Sequence, residues 1–172
     1  ARMIALVTLA EKRLAKATTR TFSAAALPKK GLTVAQVAPV VRGLVAQCVD
    51  DNDGIWQRQI LAFRTSEAIL NFVGGAEVAR YAQQGVVTPD HTIRTKNWPV
   101  VLPAADDVTV FRDGAQAAVA RFVDDYHAYF DRHNGKRGPE KTELDPMPRV
   151  ALVPGLGIFG MGKSAKDAAI AA

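Results

Sequence analysis

A chain of 172 residues with 48% hydrophobic and 23% charged residues suits one ordinary domain, or a domain with a short appendage, and excludes a disordered polymer. No stretch approaches the ~18 uninterrupted apolar residues of a membrane span, and the single cysteine, Cys48, excludes an internal disulfide. The net charge of +5 is uneven: Arg2, Lys12, Arg13, Lys16, Arg20, Lys29 and Lys30 face only Glu11 within residues 1–30. Composition alone fits a transit peptide or a nucleic-acid arm there. The helical pattern favours the wet face of a helix instead. A reducing, cytoplasmic setting is expected, and the start without methionine suggests an interior piece of a longer protein.

In chain order, Met3, Ile4, Leu6, Val7, Ala10 and Leu14 recur mostly at helical spacing, predicting an amphipathic helix over residues 2–17. Residues 18–31, with Pro28 and Gly31, read as a linker. Thr33 followed by Gln36 signals a capping box, and Val37, Val40, Val41, Leu44, Val45 and Cys48 form the stripe of a second helix. After a polar turn at 50–54, residues 55–64 read as a strand. Ser66 caps a helix that Gly74 and Gly75 interrupt and Gly85 ends. Residues 91–96 alternate and predict a second strand, with 100–102 as an edge extension past Pro99. The longest helical pattern covers 113–133, with Phe122, Val123, Tyr126 and Phe130 on its apolar face. A polar loop over 134–148, a β-run at 149–153, a glycine-rich loop and a helix from Ser164 complete the chain. The order predicts an α/β fold: layered strand-helix units, a small and largely parallel sheet, and an N-terminal helix.

Two segments carry chemistry. In Pro154-Gly-Leu-Gly-Ile-Phe-Gly-Met-Gly-Lys-Ser164, Gly155, Gly157 and Gly160 match the dinucleotide pattern GxGxxG, whereas Gly157, Gly162, Lys163 and Ser164 match the phosphate loop GxxxxGK[ST]. Glycines let N–H groups converge on an anion, and a following helix N-terminus favours negative charge. Only eight residues follow Ser164, too few for the ribose-binding acid expected about 20 residues on. A tight structural turn, a weak anion site and a small nucleotide-binding protein built on residues 157–164 all remain open. In the second segment, Thr88 to Lys96, a strand would place Arg94 and Lys96 on one face to grip an anion, with His91 at its entry. The alternative pairs Asp90 with Arg94 and leaves His91 structural. His127 and His133, with Asp124, Asp125 and Asp131, make no credible chelate, and Trp56 and Trp98 read as packing residues.

Four stretches together resemble a known family: Met3–Glu11, Thr88-Pro-Asp-His-Thr-Ile-Arg-Thr-Lys96, Tyr126-His-Ala-Tyr-Phe-Asp-Arg-His133, and Pro148-Arg-Val-Ala-Leu-Val-Pro-Gly-Leu-Gly-Ile-Phe-Gly160 with Lys166-Asp-Ala168. They look like the middle of the bifunctional class II aldolase/short-chain dehydrogenases, including the rhamnulose-1-phosphate aldolase/lactaldehyde dehydrogenase type. The resemblance implies three parts: residues 1–30 as the end of an aldolase-like domain, 31–148 as a connecting α/β domain, and 149–172 leading toward a dehydrogenase domain. It implies a parent that uses zinc and NAD(P), with both cofactors held outside this chain and no catalytic residue within it. Neither the family's zinc-binding His-x-His nor its Tyr-x-x-x-Lys pair occurs here. Implied partners are the flanking aldolase and dehydrogenase domains and a sugar phosphate or other small anion. No nucleic acid or membrane is expected, and the parent is expected to be a homo-oligomer. Candidate anion-binding residues are His91, Arg94, Lys96, Gly155, Gly157, Gly160, Lys163 and Ser164.

Overall fold

The structure is a computed structural model that describes residues 2–17, 21–50, 52–136 and 141–172. Arg20 of the basic stretch, residue 51 of the polar turn and 137–140 of the polar loop lie outside the described residues.

The chain opens with α1 (Arg2–Leu14) and continues through α2 (Val34–Leu44) into a small hairpin of β1 (Gln47–Asp50) and β2 (Ile55–Gln57). Next come β3 (Ile60–Arg64), α3 (Glu67–Val73), α4 (Val78–Tyr81), α5 (Pro89–Thr95) and β4 (Val100–Val101). The long α6 (Val108–His133) leads to β5 (Val150–Val153), β6 (Gly157–Gly162) and α7 (Ala165–Ala171). The α/β class and the N-terminal helix are therefore as expected. The largely parallel character is confined to one pairing: the four-stranded sheet has the order β3-β6-β5-β4, with only β4–β5 parallel. The pairings of β6 with β3 and with β5 are antiparallel, because a three-residue turn at 154–156 returns the chain directly as a hairpin.

Alternation along β5 and β6 sends residues to two faces. Ala151, Val153, Phe159 and Met161 join Val37 and Val41 of α2 and Phe111, Ala115, Val119 and Phe122 of α6 in the main core. Leu152 joins Val73 and Val78 in a second core on the opposite face, where Val150 and Ile158 also pack. The result is helix layers on both sides of one mixed sheet.

Local signals explain most of the boundaries. Gln36 Oε1 accepts the Thr33 N–H at 3.0 Å, which is one half of the predicted capping box. Ser66 Oγ accepts from the Ile69 N–H, as a capping serine should. The long helix starts earlier than the expected residue 113, because Asp107 Oδ1 accepts the N–H groups of Thr109 and Val110 at 2.7 and 2.9 Å. Asp107→Ala is expected to cost about 1 kcal/mol and to lower the melting temperature by about 2–4 °C in a chain of this size. A thermal unfolding curve checks it. The predicted strand over 55–64 is split, with Arg58 and Gln59 separating β2 from β3. The described part of the linker, from residue 21, is a strap: Ala25 N–H donates to Gly74 O, Ala76 N–H donates to Ser23 O, and the Phe22 ring stacks on Tyr81.

Candidate functional site

Ionisable groups concentrate where α5, α6 and the segment before β5 meet. Lys96 caps α5 with φ +66° and is only 6% exposed. A non-glycine residue with positive φ is uncommon, and tertiary contacts hold this one: Lys96 Nζ donates to the Asp145 carbonyl and lies 4.0 Å from the centroid of the Tyr126 ring. Asp145 is the hub. Its Oδ1 accepts from Gln47 Nε2 at 2.9 Å and from the Met147 N–H at 2.8 Å, and its Oδ2 accepts from Arg149 Nη2 at 2.5 Å. Arg149 Nη1 donates to the Met147 carbonyl.

The electrostatics follow from this packing. Burial pushes the Lys96 ammonium down to about 8, with the Arg149 charge adding to the shift and Asp145 and Glu143 opposing it. For Asp145, burial alone would raise the carboxyl. The hydrogen bonds from Arg149 and Met147, with the charges of Arg149 and Lys96, more than offset it, so the net shift is downward. Tyr126 is raised by burial and by the neighbouring Glu143. His127 Nδ1 lies 2.8 Å from both carboxylate oxygens of Glu143. No group of three or more metal-ligating side chains forms among the described residues.

Beside this hub lies a cleft of about 280 Å³. Arg94 enters it from α5, Arg149 from the approach to β5, and Lys163 from the end of β6. Met161 and Gly162 also line it, and α7 contributes Asp167 and Ile170. A second cavity of about 260 Å³ lies at the turn between β5 and β6, lined by Leu27, Leu32, Phe111 and Leu156. Lys29 is the one ionisable residue there among the described residues, so that cavity offers little chemistry.

The structure brings together two of the eight candidate anion-binding residues, Arg94 and Lys163. Residues 91–95 are helical rather than extended, so the expected strand face carrying Arg94 and Lys96 does not exist. The overlooked signal was Thr88-Pro89-Asp90, an N-cap, a proline in the first turn and an acid beside it. Asp90 pairs with Arg94 at 3.1 Å across one helical turn, and His91 Nδ1 lies 2.7 Å from Thr88 Oγ1. Lys96 is turned into the hub and does not line the cleft.

The glycines do not form a loop. Gly155 sits in the hairpin turn with φ +79°, whereas Gly157 and Gly160 are strand residues, Gly157 paired with Val153 of β5 and Gly160 with both Val150 of β5 and Ala62 of β3. A strand commits its backbone groups to the ladder, so they cannot converge on a phosphate. Gly155 and Lys163 also stand at opposite ends of β6, roughly 20 Å apart at strand rise. Ser164 caps α7, accepting from the Asp167 N–H and donating to Asp167 Oδ2 at 2.7 Å. Trp98 packs against Phe122 and Tyr129 as expected, but Trp56 is 55% exposed on β2.

Residues 32–172 match the family model described as "Aldolase class II, second domain". The match takes in every element from α2 to α7, and with them both hub and cleft. The chain belongs to this family. Among curated proteins, the second domain is similar to "Uncharacterized oxidoreductase YuxG" of Bacillus subtilis (strain 168), 32% identical over 139 residues. That alignment covers 79% of this chain but 19% of the relative, so the chain spans about a fifth of that protein's length. No solved structure matches the second domain. Arg149, Asp145 and Tyr126 are the residues that sequence reasoning missed as site components. They converge only through tertiary structure, although Arg149 lies inside the Pro-Arg-Val run that carried the resemblance.

Proposed function

We propose that this second domain is the connecting part of a bifunctional enzyme, set between a class II aldolase-type lyase and an NAD(P)-dependent short-chain dehydrogenase that act in carbohydrate metabolism. The family match and a relative named as an oxidoreductase support the coarser part of this reading. One structural observation supports a neighbouring domain ahead of the matched residues. Helix α1 lies before the matched residues and has no buried residue: Met3, Ile4, Leu6, Val7, Leu9 and Leu14 are each more than half exposed. A 13-residue helix is marginal in water by itself, and an apolar stripe of this kind needs a covering surface. The occupant in this reading is the preceding aldolase-type domain, of which α1 is the last helix.

Zinc and NAD(P) then belong to the flanking domains, in a cytoplasmic homo-oligomer that uses neither nucleic acid nor membrane. Among the described residues, no helix is long and apolar enough to cross a membrane. The 172-residue chain is expected to show no detectable cleavage of sugar phosphates, no NAD(P)-linked aldehyde oxidation and no stoichiometric zinc. Steady-state assays and elemental analysis of the purified chain check this. Turnover comparable with that of a full-length relative, produced by this chain alone, would remove the proposal.

A further inference from the structure

We infer that the cleft formed by Arg94, Arg149 and Lys163 is a binding site for a small phosphate monoester. These three cations come from separate parts of the chain: α5, the segment entering β5 and the exit from β6. Asp90 and Asp145 pair with Arg94 and Arg149 from outside the lining, so within the cleft three cations face a single carboxylate among the described residues, an arrangement that favours an incoming anion. The lining carboxylate, Asp167, is engaged by the Ser164 hydroxyl.

The donors are also arranged for use. Arg149 spends one N–H on Asp145 Oδ2 and one on the Met147 carbonyl, which fixes the guanidinium and leaves its other donors uncommitted. Arg94 spends Nε on Asp90, leaving both Nη groups for a ligand. Lys163 has no hydrogen-bond or ion-pair partner among the described residues. Two planar forks and one point charge match the tetrahedral oxygens of a phosphate better than a flat carboxylate.

The remaining lining identifies the rest of the ligand. Ile93 is 77% exposed and Ile170 45% exposed, both beside the charges. Such aliphatic walls suit a short carbon skeleton attached to the phosphate. At about 280 Å³ the cleft lies at the small end of ligand sites. No aromatic side chain lines it among the described residues, so nothing there stacks on a nucleotide base. The site uses only residues of this chain, so it stands or falls separately from the connecting-domain proposal.

The test is a titration of the isotope-labelled 172-residue chain with inorganic phosphate and with glycerol phosphate, followed by amide and methyl NMR. Saturable shifts are expected at Gly162 and Ile170, with glycerol phosphate binding more tightly than inorganic phosphate. Lys163→Ala should weaken both ligands about tenfold, and Arg94→Ala with Lys163→Ala about a hundredfold, at one charged hydrogen bond per residue. Both side chains are exposed, so an unchanged melting temperature should confirm intact folding. Lys166→Ala, an exposed lysine of α7 that does not line the cleft, should change nothing. Failure to saturate in the millimolar range overturns the inference. So does equal weakening by Lys166→Ala, unchanged affinity in the double variant, or tighter binding of a dinucleotide than of glycerol phosphate.

Discussion

Gly160→Ala is expected to destabilise the chain by about 2–3 kcal/mol, lowering its melting temperature by roughly 4–12 °C at this chain length. The reason lies in how α7 meets the sheet. Alternation puts Ile158, Gly160 and Gly162 on the face of β6 away from the main core, and α7 rests directly on the two glycines. A Cβ on Gly160 would meet the Ala168 carbonyl oxygen and the Ala172 nitrogen, both backbone atoms, well inside 3 Å. On Gly162 it would meet the Ala168 nitrogen and the Asp167 Cβ. Backbone does not rotate aside as a side chain does, so the helix must lift and Ala168, now fully buried, loses its seat. The smaller entropy of an unfolded chain with alanine offsets under 1 kcal/mol of that loss. Gly43→Ala is the contrasting control. It lies in α2 with nothing within 4 Å of its added methyl, so it should stabilise by about 0.5–1 kcal/mol. Urea unfolding of the two variants reads both signs. A Gly160→Ala chain as stable as the parent would mean that α7 is not seated on β6.

That argument also explains why the glycine-rich run misleads when read as sequence. Glycine is depleted in strands, so Gly157, Gly160 and Gly162 look like a loop, and their spacing satisfies two phosphate-binding patterns at once. Gly160 and Gly162 are glycine because α7 approaches closely, and Gly157 because its φ of +147° and the nearby Arg64 carbonyl leave no place for a Cβ; no local pattern encodes either reason. The reverse error occurs at 91–95, where the alternation in His91-Thr-Ile-Arg-Thr-Lys96 suggests a strand although Thr88-Pro89-Asp90 already signals a helix start. Long, periodic elements are legible: Phe122 and Tyr126 on α6 lie on the expected face, and the Ser66 cap stands where expected. The site is legible only in part. Arg94 and Lys163 are visible as cations in suggestive segments, but their partner Arg149 lies 55 residues beyond the first. The hub residue Asp145 sits in a loop whose Pro and Gly content says only that it is a loop. Convergence of that kind is a property of the sheet order, and the sheet order depends on a hairpin that the glycines disguised.

The second large effect is expected at that hub, where two variants should move stability in opposite directions. Asp145→Ala leaves Gln47 Nε2, the Met147 N–H and Arg149 Nη2 without their acceptor in a site where Arg149 is only 18% exposed. Removing one partner from a largely buried, hydrogen-bonded charge pair costs about 3 kcal/mol. Lys96→Met does the reverse at neutral pH. Burial holds Lys96 at about 8 against an ordinary 10.5, so the folded chain holds this proton less tightly than the unfolded chain does. Below pH 8 both forms are charged and the folded state bears the full penalty, about 3 kcal/mol at 1.36 kcal/mol per pH unit. Between pH 8 and 10.5 the unfolded state binds more protons, so stability should rise with pH as the penalty disappears. Tyr126, whose raised value has the opposite consequence at still higher pH, confines a clean measurement to roughly pH 8–9.5. The parent chain should therefore gain stability across that window in urea titrations, while Lys96→Met should be more stable at pH 7 and flat across it. A flat parent curve, or a Lys96→Met chain that unfolds more easily at pH 7, would show that the contacts of Lys96 with the Asp145 carbonyl and the Tyr126 ring outweigh the cost of burying its charge. The hub would then gain net stability from that ammonium, and the sign assigned to Lys96 would be reversed.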